Sequence, residues 1–353
     1  MNLPMIHTTT IRLADLHDTS EVARIEAFVA EMEGSVFHRP LWLKAIEQGT
    51  GNTAFGLVVE RDGMIAGWLP LSLVKSPIFG NALVSSGFGV GGGAIAEREQ
   101  DFDALCHGAE ELAHRFAVNS IELRGGPPPA GWARIEGRHA NFASDLAGSD
   151  EDQLLAIPRK ARAEVRKGLA NDLDVGTGNG ENDRSAHYSA YSESVRNLGT
   201  PVFPRSLFDA VLDLFGGDAD ILTVRHQGNP VASVLSLYHR GTVMPFWGGG
   251  SIAARNLRAN ERMYYELMCH ARRRGCTRFD FGRSKTGSGP FSFKKNWGFE
   301  PEPLTYFCWS EQGVEARNID PTDAGNSAKI ELWKKLPLPV ANAIGPWIAR
   351  GLG

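Results

Sequence analysis

Apolar and polar positions along this chain change period in a fixed order, and that order occurs twice. Ser35-Val36-Phe37-His38-Arg39-Pro40-Leu41-Trp42 opens a short helical stretch, as does Pro201-Val202-Phe203-Pro204-Arg205-Ser206-Leu207-Phe208. Alternating segments follow each, AFGLVVERDGMIAGWLPLSLV from Ala54 and DILTVRHQGNPVASVLSLYHR from Asp220. Both predict hairpins, with the turns at Asp62-Gly63 and Gln227-Gly228. Next come glycine clusters, Gly91-Gly92-Gly93 and Gly248-Gly249-Gly250. Apolar residues then recur at i, i+3 and i+4 in DFDALCHGAEELAHRFA and ERMYYELMCHARRRG, which predicts two amphipathic helices. Each leads into a short strand, Ser120–Leu123 and Arg278–Phe281. One longer loop near Lys75 to Leu83 in the first copy accounts for the single change in spacing.

Five matched features in the same order point to a duplicated unit. Helix, hairpin, strand, glycine turn, helix and strand give a mixed sheet flanked by helices, the order of the N-acetyltransferase-like α/β (α+β) fold. We expect a first domain over 1–150, a basic interdomain helix within 151–175, a second domain over 176–330 and an amphipathic tail over 331–353. Two such domains create a cleft, which ligands favour. The length of 353 residues suits two domains of ordinary size.

The chain is 42% hydrophobic and 22% charged, which excludes a disordered segment. Net charge is −4, so no bulk attraction for nucleic acid exists and any polyanion site must be a local patch. The N-terminal residues lack a basic start followed by an apolar run, and no stretch is long enough to span a bilayer. Cys106, Cys269, Cys276 and Cys308 form neither CxxC pairs nor a compact framework. A reduced, cytoplasmic protein without a bound metal or other cofactor is the expectation.

Several motifs are coincidental. Gly87-Phe88-Gly89-Val90-Gly91-Gly92 fits G-x-G-x-x-G, but no helix opens inside it, so a nicotinamide site is not expected and close backbone approach is. Asp280-Phe281-Gly282 matches a kinase tripeptide without the rest of the kinase order, and no G-x-S-x-G elbow exists. Two regions carry more. Pro158 to Gly168 holds five basic residues against one acid, with Arg159, Arg162 and Arg166 on one helical face. From Asp280, a strand runs into a Gly/Ser loop carrying Arg283 and Lys285, then into Lys294 and Lys295 among Phe291, Phe293, Trp297 and Phe299. Lysines among aromatics are partly desolvated and suit an anionic ligand or a developing oxyanion.

The segment FKKNWGFEP from Phe293 resembles the FKK-x-[FW]-G segment of FemAB aminoacyltransferases, and PRKARAEVRKG resembles their interdomain basic segment. With RNLGTPVF from Arg196, FWGGG, RANERMYYELM and FDFGRSK, the chain is similar to the FemAB-related branch associated with exosortase systems. The resemblance implies a tandem N-acetyltransferase-like fold. It also implies acyl or aminoacyl transfer, with aminoacyl-tRNA as donor, to an amine of a cell-envelope precursor without a metal or a covalent enzyme intermediate; acyl-CoA is the other candidate donor. It places Phe293 and Lys294 at the catalytic Phe-Lys, with the lysine stabilising the tetrahedral intermediate. Asp280 is the candidate base or orienter, and Arg205 stands where the family binds the acceptor. Arg159, Arg162, Arg166, Lys167, Arg196, Trp247, Arg283, Lys285 and Lys295 are the further substrate-binding candidates.

Enzymes of this fold that use acetyl-CoA hold its pyrophosphate with [QR]-x-x-G-x-[GA] at a helix start. Here the corresponding residues are Arg255 to Asn260, with Arg258 in place of the glycine, and Glu97 to Gln100 in the first copy. An ordinary CoA cradle is therefore disfavoured, which leaves an acyl-CoA N-acyltransferase with an atypical site as an alternative. A non-catalytic tandem module binding a nucleotide-linked sugar or a protein is another. The tail from Trp333 to Leu352 is apolar, with Lys334, Lys335 and Arg350 beside it. It reads either as packed on the domain or as an interfacial anchor at the inner membrane face.

Overall fold

A computed structural model describes residues 9–311, 313, 317 and 327–353. The chain forms two compact units: Met1–Glu136 with Thr305–Ile319 and Arg350–Gly353, and Gly137–Leu304 with Asp320–Ala349.

The first unit contains β1 (Thr9–Leu13), α1 (Thr19–Glu31), α2 (Pro40–Thr50), β2 (Thr53–Arg61), β3 (Met64–Val74), β4 (Ala82–Ser85), β5 (Ile95–Ala96), α3 (Glu99–Arg115), β6 (Ser120–Arg124) and β7 (Ala133–Ile135). The second contains β8 (His139–Asp145), α4 (Asp150–Ala156), α5 (Arg159–Ala170), β9 (Asp174–Gly178), α6 (Glu181–Leu198), α7 (Arg205–Phe215), β10 (Ala219–His226), β11 (Asn229–His239) and β12 (Thr242–Gly250). It continues through α8 (Ile252–Leu257), α9 (Ala259–Arg273), β13 (Arg278–Asp280), β14 (Ser284–Lys285), α10 (Gly289–Asn296) and β15 (Pro301–Pro303). β16 (Tyr306–Ser310) belongs to the first unit, and α11 (Ser327–Lys334) and α12 (Leu338–Ala349) to the second.

The sheets run β1-β2-β3-β4-β6-β16-β7 and β9-β10-β11-β12-β13-β8-β14, with β5 on β3 and β15 on β8. Position by position the two orders agree, and both contain a parallel pair at the same place, β4 with β6 and β12 with β13. The sixth position is filled reciprocally. β8, which follows the first repeat in sequence, joins the second sheet, and β16, which follows the second repeat, joins the first. Residue 150 is therefore not where the sheets divide, because the backbone of β8 finds its partners in β13, β14 and β15.

The hairpins form as the sequence predicts. Asp62 and Gly63 have φ of 52° and 79°, and Gln227 and Gly228 have 51° and 77°, the positive values of two-residue primed turns. A third such turn, Arg240–Gly241, joins β11 to β12, where the first copy has the longer loop over residues 75–81.

Helices cover both faces of each sheet. In the first unit Leu105, Ala109 and Leu112 of α3 pack on Leu57, Leu69 and Leu71, while Ile25, Phe28 and Leu43 pack with Trp68 on the other face. The indole of Trp68 donates to the carbonyl of His38 at 2.7 Å, so its one polar atom is satisfied in the core. In the second unit Val165 of α5 and Met263, Leu267 and Met268 of α9 share one core with Val234, Phe279 and Phe281. One expectation is corrected: Gly248–Gly250 is the end of strand β12 and not a turn.

Candidate active site

β12 and β13 pair only at Thr242–Arg278 and Val243–Phe279, while β12 stays paired with β11 as far as Gly250. Three polar side chains approach the three glycines closely. A Cβ on Gly248 would lie 3.3 Å from the Tyr264 hydroxyl, one on Gly249 would lie 2.5 Å from Cβ of Ser194, and one on Gly250 would lie 2.5 Å from Oδ1 of Asn260. The glycines thus admit α6 and α9 to the strand. Tyr264 also reaches the end of β13, with its ring centroid 4.7 Å from that of Phe281. Burial pushes its phenol up to about 12, so it stays protonated at neutral pH.

Beyond β13 the Asp280 carboxylate accepts the N–H of Gly282 at 2.9 Å, closing a local turn. The side chain of Asn141, on β8, supplies a second hydrogen bond to Asp280. Burial raises the Asp280 pKa against the pull of these bonds and of Lys294. The segment after the turn, expected as a flexible loop up to Lys294, instead enters α10, whose Ser288 cap accepts the N–H of Phe291 at 3.3 Å. Ser288 with Pro290 in the first turn is a start signal that the sequence contained and the reading missed.

α10 turns Lys294 inward, where only 8% of it is exposed. Its Nζ donates to the carbonyls of Gly282, at 2.8 Å, and Arg283, at 3.2 Å. The rings of Phe142 and Phe281 lie 5.5 and 5.4 Å from it. Burial depresses the Lys294 pKa to about 7, partly countered by the Asp280 charge and reinforced by that of Arg283. A lysine ammonium has three donors, so one N–H remains beyond these two bonds. The ring of Phe293 is tilted against Trp297 at 5.6 Å and Tyr264 at 5.8 Å, and lies 6.2 Å from that of Phe281.

Five of the expected site residues therefore share one neighbourhood: Asp280, Arg283, Lys285, Phe293 and Lys294. Arg283 and Lys285 are half-buried on the turn and β14, and Lys295 is exposed on the outer side of α10. The others take separate positions in the second unit. Arg196 donates to the carbonyl of Lys334 at 3.2 Å, and Arg205 pairs with Glu181 at 2.5 Å and Asp209 at 3.6 Å. Trp247 is buried against Phe208 and Phe246, at 4.9 and 4.8 Å. On α5, Arg162 donates to the carbonyl of Leu155 and Lys167 pairs with Glu164, whereas Arg159 and Arg166 are exposed without an ion pair to a described residue.

At the start of α9, Arg258 has φ of 53°, so its backbone adopts the left-handed conformation that a glycine there would take without strain. Its guanidinium pairs with Glu164 of α5 at 2.7 Å. A Cβ on Gly168 would lie 2.7 Å from the Arg258 carbonyl, and Asn171 donates to the carbonyl of Leu257 at 2.8 Å. The last turn of α5 thus lies against the turn that begins α9. Neither Glu164 nor the group Tyr264, Ser194 and Asn260 was singled out from the sequence, since only the folded chain brings them to their partners.

Residues 158–295 match a family model described as an acetyltransferase (GNAT) domain. That domain and the mixed sheets flanked by helices make the chain an acyltransferase with the fold of tandem N-acetyltransferase-like proteins.

Among solved structures, the chain is similar to FemX, at 17% identity and a TM-score of 0.64, over 84% of this chain and 96% of that one. A tandem GNAT protein from the clavulanic acid biosynthesis pathway matches at 12% identity and a TM-score of 0.59, over 87% and 100%. The C-terminal domain of a putative lysylphosphatidylglycerol synthetase from Agrobacterium fabrum matches at 14% and 0.56, over 82% and 91%. At these identities the likeness is one of fold. No curated protein matches the sequence.

Proposed function

We propose that the second unit transfers an acyl or aminoacyl group to an amine of a cell-envelope precursor, in the manner of the FemAB-like branch associated with exosortase systems. The observation that carries this reading is Lys294, a cation buried among aromatic rings with two donors fixed on the Gly282 and Arg283 carbonyls. Its third N–H is offered to the oxyanion that forms when the amine adds to the ester carbonyl. Stabilisation by a preorganised charge in a dry site is the largest single contribution to such reactions. The new C–N bond forms, the ester C–O bond breaks, and the amine's proton passes by way of Asp280 to the departing alkoxide. Arg283, Lys285 and the exposed Arg159 and Arg166 hold a phosphorylated portion of donor or acceptor. Phe293 shapes the aromatic wall beside Lys294.

An aminoacyl ester is favoured over acyl-CoA because of the start of α9. A CoA pyrophosphate needs free backbone N–H groups and small residues there. Arg258, paired with Glu164 and covered by Gly168 and Asn171, supports a different use of that turn.

The test is transfer of a radiolabelled aminoacyl group from aminoacyl-tRNA to amine-bearing envelope precursors, run beside acyl-CoA donors. Expected are product from aminoacyl-tRNA and its loss in Lys294→Met with folding intact. Product from acyl-CoA alone would overturn the donor. Undiminished turnover in Lys294→Met would remove this site from the chemistry.

A further inference from the structure

α12 has two apolar sides, and only one of them is used by the fold. Ala341, Gly345 and Ala349 form an inner stripe of small residues and are buried. A Cβ on Gly345 would lie 3.1 Å from Val202, and Asn342 donates to the hydroxyl of Ser192 on α6 at 3.2 Å. Small residues thus seat the helix closely, and this side needs nothing more.

The other side carries Val340, Ile344 and Trp347, spaced i, i+4 and i+7, and they are 44%, 42% and 50% exposed. On the preceding α11, Leu332 is 66% exposed. A helix side kept only for water would carry charge, yet no Asp or Glu occurs from Leu332 to Gly353. The charges present are all positive. Lys334 and Lys335 precede α12 and Arg350 follows it. Lys335 and Arg350 are exposed, without an ion pair to a described residue. The whole chain is nevertheless acidic, at −4, so this end stands apart from the rest in sign.

We infer that α12 lies flat in the surface of an anionic bilayer, with Val340, Ile344 and Trp347 dipping below the headgroups and Lys335 and Arg350 on lipid phosphates. An outward stripe of aliphatic side chains and one tryptophan, with a cation at each end and no carboxylate within the helix, is the pattern of an interfacial helix. Glu331 on α11 neutralises Lys334 at 2.6 Å, which leaves Lys335 and Arg350 as the unpaired charges that flank the stripe, both positive. No helix among the described residues is long and apolar enough to cross a membrane, so the contact is with one face of the bilayer. Pro346 does not prevent it, because the helix continues through that residue to Ala349. The inference is independent of which group the enzyme transfers, so its failure would leave the reading of Lys294 intact.

Co-sedimentation of the full-length protein with phosphatidylcholine vesicles, with and without phosphatidylglycerol, tests it. Wild type is expected to pellet with the anionic vesicles, and Ile344→Glu/Trp347→Glu is expected to lose about tenfold or more of that binding. Each cation near the surface contributes modestly, so Lys335→Gln should weaken binding by about fivefold and only on anionic lipid. Both substituted residues point outward, and an unchanged unfolding midpoint would show that the fold survives. Failure of wild type to pellet, equal pelleting by the double variant, or indifference to phosphatidylglycerol would each overturn the inference. So would a dimer in light scattering that the double variant dissolves, since a second copy would then cover this side.

Discussion

The ammonium of Lys294 lies 2.8 Å from the carbonyl oxygen of Gly282, so a cation on α10 fixes the turn by which the chain leaves β13. The same turn is closed from within by the Asp280 carboxylate on the Gly282 N–H. Charge and turn are thus one arrangement, and the proposed chemistry depends on both. Position alone cannot separate a catalytic lysine from a structural one, but its titration can.

Removing the charge is the first expectation. Lys294→Met should lower turnover by about 10²–10³-fold, with a smaller change in KM. Lys294→Arg should recover only part, since a planar fork cannot keep both carbonyl bonds and offer a third donor in the same direction. Steady-state kinetics on variants matched for unfolding midpoint provide the measurement. A change confined to KM would leave the lysine a positioning role.

The pH profile is the second. A lysine lowered to about 7 is charged below that pH and neutral above it. If the charged form stabilises the oxyanion, kcat should fall as pH rises through about 7. In Lys294→Arg that limb should move well above pH 9, because guanidinium keeps its proton. Asp280→Asn preserves an acceptor for the Gly282 N–H but removes the negative charge that supports the ammonium. Turnover should fall as well, because Asp280 carries the amine's proton, and the limb of the remaining activity should shift below the wild-type position. A rising limb near 7 would make neutral Lys294 the active form and overturn the oxyanion role.

Acid stability is the third. Burial lowers the His187 pKa to about 3. Its Nδ1 lies 3.1 Å from the Ser233 hydroxyl, and its buried Nε2 makes no hydrogen bond to a described residue. Because the unfolded chain binds the proton first, the stability associated with neutral His187 is full above about pH 6.5 and is lost as pH falls towards 3. His187→Gln keeps a partner for Ser233 and does not titrate. Between pH 6.5 and 4.5, wild type should lose about 2 kcal/mol more than this variant in urea unfolding. Parallel curves would show that His187 is not the group responsible.

Gly249 is the fourth. An added methyl would meet Ser194 on α6, with the two Cβ atoms 2.5 Å apart. Gly249→Ala should cost about 1–3 kcal/mol as β12 and α6 are forced apart. Ser194→Gly removes the opposing side chain and should restore part of the loss. Calorimetry on the two single variants and the double variant measures the coupling, and strict additivity would mean that the two residues do not meet.

Much of this was legible from residue order. The hairpins at Asp62-Gly63 and Gln227-Gly228, the paired amphipathic helices and the doubled unit follow from period and turn chemistry, which are local properties of the chain. The concentration of Phe293, Lys294 and Asp280 in one neighbourhood was legible too, because fewer than twenty residues join them. α10 could have been read from Ser288 and Pro290, whereas the reach of the glycines could not.

What the tertiary structure alone decided concerns partners far apart in sequence. That β8 completes the second sheet and β16 the first depends on which strand edges remain open after the repeats have formed, and no local period encodes that choice. It is β8 that brings Phe142 to Lys294 and Asn141 to Asp280, and so it helps desolvate the lysine. The pairing of Glu164 with Arg258 was equally hidden, because it needs α5 laid across the start of α9. The sequence by itself determined the elements, the duplication and the residue types of the site. Burial and charge proximity set the Lys294 pKa and exist only once the chain has folded, so the state of its proton was decided by the tertiary structure.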